Sequence, residues 1–328
     1  MAAGEKRRKA IKIFSRTETP EFGFGTTTGS SGSRILNKDG TANIVRLGEP
    51  RFNILNAYHA LITMKWRKFN LVVFTFYIAV NFLFTLIYFF IAPDSIAGMM
   101  YSSTWEKFME IFFFSAQSLT TVGYGRLNPI GSFASSLAAI ESMIGLLGFA
   151  LATGLLYGRF SRPTAKLIYS DNILVSPYAH PKLSENAPTA LMFRIANARN
   201  NQLIEVEALV LFSYNEEVNG KTLRRFQRLK LEVEKINFLA MSWTIVHPID
   251  DESPLKDLTL ADIENLDGEF MVSIKAIDDT YVQQIFARSS YKWQEIVWGA
   301  KFHSIISTTE EGQVTLNLKK ISSYETMA

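Results

Sequence analysis

The 328-residue sequence contains no cysteine and only four histidines, His59, His180, His247 and His303. Without cysteine there is neither a disulfide framework nor a thiolate metal site. A Gly-x-Ser-x-Gly elbow, a Gly-x-Gly-x-x-Gly fingerprint and a phosphate-binding loop are also missing, which removes the common hydrolase and nucleotide-binding chemistries. The net charge of +3 is too small to suggest nucleic acid as a partner, so the placement of the basic residues matters more than their number. Residues 1–30 hold no apolar core of the kind a secretory signal needs. No enzyme activity and no cofactor are expected.

What the sequence does have is two long runs almost free of charge. Phe69–Ala92 carries none, and at about 1.5 Å per helical residue it crosses a hydrocarbon core of about 30 Å. Phe133–Phe160 is interrupted only by Glu141 before Arg159. Between them, Phe108–Leu119 reads as an apolar helix too short to span, hence re-entrant. Ser103 and Glu106 suggest a capping box at its start. It leads into Thr120-Thr121-Val122-Gly123-Tyr124-Gly125, which reads as an ion-selectivity filter. Stripping water from K+ takes stacked rings of backbone carbonyls, and Gly123 and Gly125 accept the positive φ that turns them to one axis. K+ sites are expected at Thr121, Val122, Gly123 and Tyr124, with the Thr121 hydroxyl adding a ring. One chain supplies one wall, so several copies are needed. The competing reading is a membrane-anchored β-sandwich that binds a partner without conducting.

Lys65, Arg67 and Lys68 precede the first span and Arg159, Arg162 and Lys166 follow the second, whereas the intervening segment is slightly acidic. The positive-inside rule then places both termini in the cytoplasm of a multi-pass protein of the inner (plasma) membrane. Those six cations also suit anionic phospholipid. Phe52–Met64 has helical apolar spacing and is expected to lie along the membrane surface. Gly145, Phe149, Thr153 and Tyr157 recur at every fourth position, one stripe that either lines a cavity and gate or packs against a neighbour. Gly145, Gly148, Gly154 and Gly158 permit bending or close helix approach. Glu141 is either functional or hydrogen-bonded behind the filter.

Residues 1–33 form a basic tail and 34–51 an N-terminal cytoplasmic segment, with short strands expected around Asp39-Gly40. The pore domain covers 69–160, and 321–328 is a C-terminal tail. From 161 to 320 short alternating runs, such as Ile204-Val206-Ala208-Val210-Phe212, predict eight to ten strands in an immunoglobulin-like β-sandwich. The fold class is therefore membrane α, with two transmembrane helices and a re-entrant pore helix, joined to a C-terminal all-β sandwich. His247 with Asp250 and Asp251 offers a metal-site reading, which Pro248 disfavours against a structural turn.

The filter between two spans, the segment Ser242-Trp243-Thr244-Ile245-Val246-His247-Pro248-Ile249-Asp250-Asp251-Glu252-Ser253-Pro254-Leu255, the turn Lys38-Asp39-Gly40 with Asn43, and the junction Arg159-Phe160-Ser161-Arg162-Pro163 resemble the inward-rectifier potassium channels, closest to their bacterial KirBac branch. The resemblance covers about residues 34–320. It implies a homotetramer whose pore continues into a cytoplasmic vestibule. Phe52–Met64 becomes the slide helix and Tyr157 the bundle-crossing constriction, while Arg159, Arg162 and Lys166 lie where phosphoinositide acts. Glu205 matches an acidic vestibule position that attracts Mg2+ or polyamine blockers. Phe149 stands where strong rectifiers carry an acid, so weak rectification is expected.

Overall fold

The computed structural model describes residues 34–45, 54–163, 165–178 and 189–327. The tail 1–33, Phe52 and His180 lie outside these. The chain divides into two compact units, one covering Gly48–Arg162 and the other combining Met1–Leu47 with Pro163–Ala328.

The first unit is helical. Its elements are α1 (Ile54–Thr63), α2 (Trp66–Ile91), α3 (Thr104–Leu119) and α4 (Gly131–Phe160), with β1 (Ile96–Ala97) pairing β2 (Asn128–Pro129). Helix α2 begins at Trp66, ahead of the charge-free run, since Arg67 and Lys68 are good helix formers whose stems extend along apolar surface. Asn81, Phe84, Thr85 and Tyr88 recur at helical spacing on its buried face. Phe84 and Tyr88 join Ile96, Ile111, Phe114, Leu127 and Ala134 in a small core. Leu71, Phe74, Phe76, Phe82 and Phe90 of α2 and Leu146, Leu147 and Leu151 of α4 are exposed. A soluble core helix would bury such residues, and a membrane leaves them against lipid.

Helix α3 starts at Thr104, not at Phe108, because its first turn is polar and escapes a reading based on apolar runs. Ser103 caps it, its Oγ accepting from the Glu106 N–H at 3.2 Å. The reciprocal half of the expected capping box is displaced by one residue, with the Glu106 carboxylate accepting from the Ser102 N–H at 2.6 Å.

The second unit is a sandwich of two five-stranded sheets. One holds β3 (Leu167–Tyr169), β4 (Ile173–Pro177), β5 (Thr189–Asn197), β9 (Ser242–Ile249) and β12 (Ile296–Trp298). The other holds β6 (Leu203–Val218), β7 (Lys221–Leu229), β8 (Lys235–Leu239), β10 (Glu269–Asp278) and β11 (Gln283–Lys292). The 16-residue β6 pairs β10 on one edge and both β7 and β8 on the other. Inward residues of both sheets, among them Phe193, Ile195, Val210, Phe212, Phe270 and Ile274, make one core. Strand content exceeds the expected eight to ten, since β13 (Ala300–Phe302), β14 (Ile306–Thr308), β15 (Val314–Leu316) and β16 (Tyr324–Thr326) add two short antiparallel pairs, β13 with β16 and β14 with β15. The unit is not all β, because Thr259 caps a short helix α5 (Leu260–Asn265) through a capping box with Asp262.

Residues 34–43 belong to this unit. They form a single bridge, Leu36 to Ala42, instead of strands, around a turn in which Gly40 has φ +82° and a Cβ would lie 2.5 Å from the Arg288 carbonyl oxygen. Leu36 is buried among Leu211, Phe226 and Met271.

Candidate ion-conduction pathway

The filter begins as the C-terminal cap of α3. The Thr121 N–H donates to the Ser118 carbonyl at 3.1 Å and the Val122 N–H to the Gln117 carbonyl at 2.9 Å, the paired bonds of a Schellman motif, with Thr121 in the left-handed position that glycine usually occupies. Its φ is +56°, followed by +55° at Gly123 and +87° at Gly125, while Val122 and Tyr124 between them stay outside that region. Left-handed backbone at every second residue cancels the alternation that extended chain imposes on its carbonyls, so successive oxygens come to one side. Positive φ was expected at the two glycines. Thr121 was not foreseen, since a β-branched residue there is a strained outlier of the sort concentrated at functional sites.

The loop is braced from behind. Arg126, just past the filter, forks onto Glu110 of α3 at 2.9 and 2.7 Å and donates to the Gly98 carbonyl at 3.1 Å. The Asn128 amide donates to the Gly125 carbonyl at 2.8 Å. Sequence reading used Glu110 and Arg126 only for topology; their 16-residue separation gives no local signal of a pair.

Glu141 is fully buried. It takes Ser115 Oγ on one carboxylate oxygen and Tyr88 Oη at 3.3 Å on the other. Ser115 also lies 2.9 Å from Asn81 Oδ1, so four side chains tie α2, α3 and α4 together. As placed, the Asn81 Nδ2 is buried without a partner. Exchanging the amide O and N points that N–H at Ser115 Oγ and leaves the Ser115 proton for Glu141. Of the two readings open for Glu141, the geometry is that of the hydrogen-bonded brace.

Gly145 is a correction. It does not line a cavity with Phe149, Thr153 and Tyr157: a Cβ there would lie 1.8 Å from the Leu119 carbonyl oxygen, so its bare face meets the last turn of α3. Ser142, one turn earlier, donates to the Ser118 carbonyl at 2.9 Å on the same side. Phe149 and Tyr157 are each 74% exposed in the single chain, and Thr153 is exposed too. The other glycines divide. Gly148 faces the Phe76 ring and Gly158 the Ile62 side chain, while a Cβ at Gly154 would meet nothing within 4 Å.

The basic residues also separate. Lys65, Arg67, Lys68, Arg162 and Lys166 are exposed and their side chains make no hydrogen bond or ion pair among the described residues. Arg159 is half-buried and donates to the carbonyls of Leu61, Ile62 and Met64 at 2.5, 3.0 and 2.7 Å. In the β unit, Glu205 sits at a register shift between β6 and β10 with φ +50° and pairs with Lys235 at 3.3 Å. Glu207 lies 3.9 Å from Lys275.

The metal reading of His247 fails on geometry. Its Nδ1 lies 2.6 Å from the Lys230 carbonyl and its Nε2 2.8 Å from Ser253 Oγ, which itself accepts from the Leu255 N–H. Nδ1 must donate to the carbonyl and Nε2 shares the Ser253 hydroxyl, which uses both nitrogens to pin the turn. No group of three or more metal-ligating side chains occurs among the described residues.

Two apolar spans, a re-entrant helix and a six-residue turn with alternating left-handed backbone define a pore-forming membrane protein. The family model described as "Ion channel" matches residues 72–162, and that described as "Inward rectifier potassium channel C-terminal domain" matches 184–328. The chain is 37% identical to the inward rectifier potassium channel Kirbac3.1 of Paramagnetospirillum magnetotacticum, over 88% of this chain and 94% of that one. It is 25% identical to the G protein-activated inward rectifier potassium channel 2 of Mus musculus, over 89% of this chain and 72% of that one. The chain belongs to the inward rectifier potassium channel family.

Proposed function

We propose that four copies of this chain form a potassium-selective pore that conducts passively through carbonyl rings of Thr121, Val122, Gly123 and Tyr124, with Thr120 and Gly125 ending the filter. The observation that carries this reading is the left-handed backbone at Thr121, Gly123 and Gly125, placed at the C-terminus of a helix too short to cross a bilayer. That terminus carries partial negative charge and favours a cation just beyond it. Family membership supports the same reading, and no catalytic step is needed.

The gate is at Tyr157, where four exposed rings close the inner end by steric contact or dewetting, with Phe149 and Thr153 lining the cavity above it. Both termini are cytoplasmic in the plasma membrane, in agreement with the charge asymmetry. Anionic lipid, phosphoinositide included, acts through the unpartnered cations Lys65, Arg67, Lys68, Arg162 and Lys166. Rectification by Mg2+ or polyamines is weak, because Phe149 carries no charge and Glu205 is ion-paired.

The test is rubidium uptake into liposomes holding the purified protein, with and without phosphoinositide. Uptake blocked by barium and outcompeted by potassium but not sodium supports the channel. A Tyr157→Ala variant with no uptake under any lipid condition would favour the anchored binding protein instead.

A further inference from the structure

Arg159 is bound differently from the other basic residues near it. Its guanidinium lies between the rings of Trp66 and Phe69, 4.6 Å from each centroid, and Phe160 closes on Trp66 at 5.1 Å. Both terminal nitrogens are spent on carbonyls at and just beyond the end of α1, those of Leu61, Ile62 and Met64. Leu61 and Ile62 are among the last four carbonyls of that helix, which no helical N–H can reach. One residue earlier, Gly158 brings α4 against the same helix, with a Cβ position 3.2 Å from the Ile62 side chain and 3.5 Å from Tyr58 Oη. The two terminal nitrogens of Arg159 serve three carbonyls while the same group contacts two rings set edge-to-face; an ammonium group, with a single nitrogen, does not match that geometry.

We infer that Arg159 is a positioning residue for the gate and not a lipid ligand: it caps α1 from the end of α4, two residues beyond Tyr157. This rests on the gate proposed above. Any outward movement of the α4 ends that widens the Tyr157 ring has to carry α1 with it. Because α1 lies along the membrane interface in that reading, moving it is work that the clamp adds to opening. Lipid phosphate is left to Arg162, Lys166, Lys65, Arg67 and Lys68, whose side chains make no bond among the described residues.

The test uses full-length protein in liposomes, comparing Arg159→Gln, Arg159→Lys, Trp66→Leu and Arg162→Gln. Rubidium uptake is measured without phosphoinositide and across a phosphoinositide titration. Loss of the charge-assisted bonds at Arg159 is expected to raise lipid-free uptake about tenfold. The lipid concentration for half effect stays at the wild-type value. Lysine does not rescue, Trp66→Leu changes uptake in the same direction, and the double variant with Arg159→Gln adds little to either single change. Arg162→Gln shifts the lipid titration instead.

A shift of the titration in Arg159→Gln comparable to that in Arg162→Gln would overturn the inference and make Arg159 a lipid ligand. Unchanged lipid-free uptake in both Arg159→Gln and Trp66→Leu would overturn it as well. If Arg159→Gln does not assemble, Trp66→Leu decides alone, since it removes one ring and leaves the cap. Absence of uptake in the wild-type protein would count against the channel reading and not against the clamp.

Discussion

Each unit buries one carboxylate completely, and the two are satisfied in opposite ways. Glu141 of the helical unit is met only by the hydroxyls of Ser115 and Tyr88. Glu269 of the β unit accepts the N–H groups of Ile35 and Leu36 at 3.1 and 3.3 Å and lies 3.6 Å from Arg224 Nη2. Arg224 in turn reaches Ser213, Asn215 and Asp267, and Lys292 holds Asp267 at 2.8 Å. In the β unit two cations balance two carboxylates; among the described residues no cation reaches Glu141. A Lys or Arg inside the bilayer is costly whatever it pairs with, so the helical unit holds its carboxylate with dipoles and gains rigidity from close backbone contact instead.

The largest effect is therefore expected from a backbone contact. Gly145→Val drives a side chain into the Leu119 carbonyl oxygen, 1.8 Å from the position of its Cβ and two residues before Thr121. Neither atom belongs to a flexible side-chain end, so the filter base has to shift. Potassium-selective rubidium uptake should fall to liposome background. Gly154→Val, whose added Cβ meets nothing within 4 Å, should retain close to wild-type uptake. Equal damage from both would mean that helix bending, not contact, is what the glycines supply.

The carboxylates themselves come next. Glu269→Gln leaves Arg224 buried and short of its counter-charge, a loss of about 3–5 kcal/mol, and takes the acceptor from one of the two backbone amides of the N-terminal segment. Glu141→Gln keeps a hydrogen-bonding oxygen for neutral partners and should cost about 1 kcal/mol. Thermal unfolding of the purified chain in detergent measures both. Comparable destabilisation at the two sites would erase the distinction between them.

These two residues also mark what sequence could tell. Glu141 stands out because a charge inside an apolar run is conspicuous, yet its partners lie 26 and 53 residues away and only packing brings them in. Glu269 looked like one of many acids in a strand-rich region, and its cluster joins residues from Ile35 to Lys292. Spans and re-entrant helix were legible because a membrane imposes length and charge rules that act locally. The β unit was legible as alternation, but not its capped helix α5, whose apolar content is two or three residues. Gly145 was misplaced because spacing of four gives a stripe and not what the stripe faces. The left-handed φ of Thr121 was not expected, because a β-branched residue is the last one to adopt it.

A third expectation concerns pH and the β unit alone. Burial holds the His247 imidazole below its ordinary value and favours the neutral ring, against the smaller upward pull of its bond to the Lys230 carbonyl. The unfolded chain takes up a proton near pH 6.5 while the folded chain does not. Stability from this group is present above that pH and is lost as pH falls below it, by at most about 1.4 kcal/mol per pH unit. Unfolding midpoints at pH 7.5, 6.5 and 5.5 should drop over the last interval, and His247→Gln should flatten that drop. An undiminished drop in the variant would assign it to the carboxylates.

The smallest effect tests whether charge balance in the β unit extends to its surface. Glu205 and Glu207 face Lys235 and Lys275, so the acidic position implicated in cation block is offset by exposed lysines. Exposed pairs of this kind are worth about 0.2–1 kcal/mol, and removing the lysine charge leaves Glu205 uncompensated. Lys235→Gln should therefore strengthen block by Mg2+ or spermine by about twofold to fivefold, at most one such pair per chain, and Lys235→Gln combined with Glu205→Gln should return it to the wild-type level. Uptake in the presence of internal spermine reads this directly. Stronger block that survives the double substitution would place the cation site elsewhere, and unchanged block in Lys235→Gln would mean that the pair is already screened and Glu205 attracts no blocker.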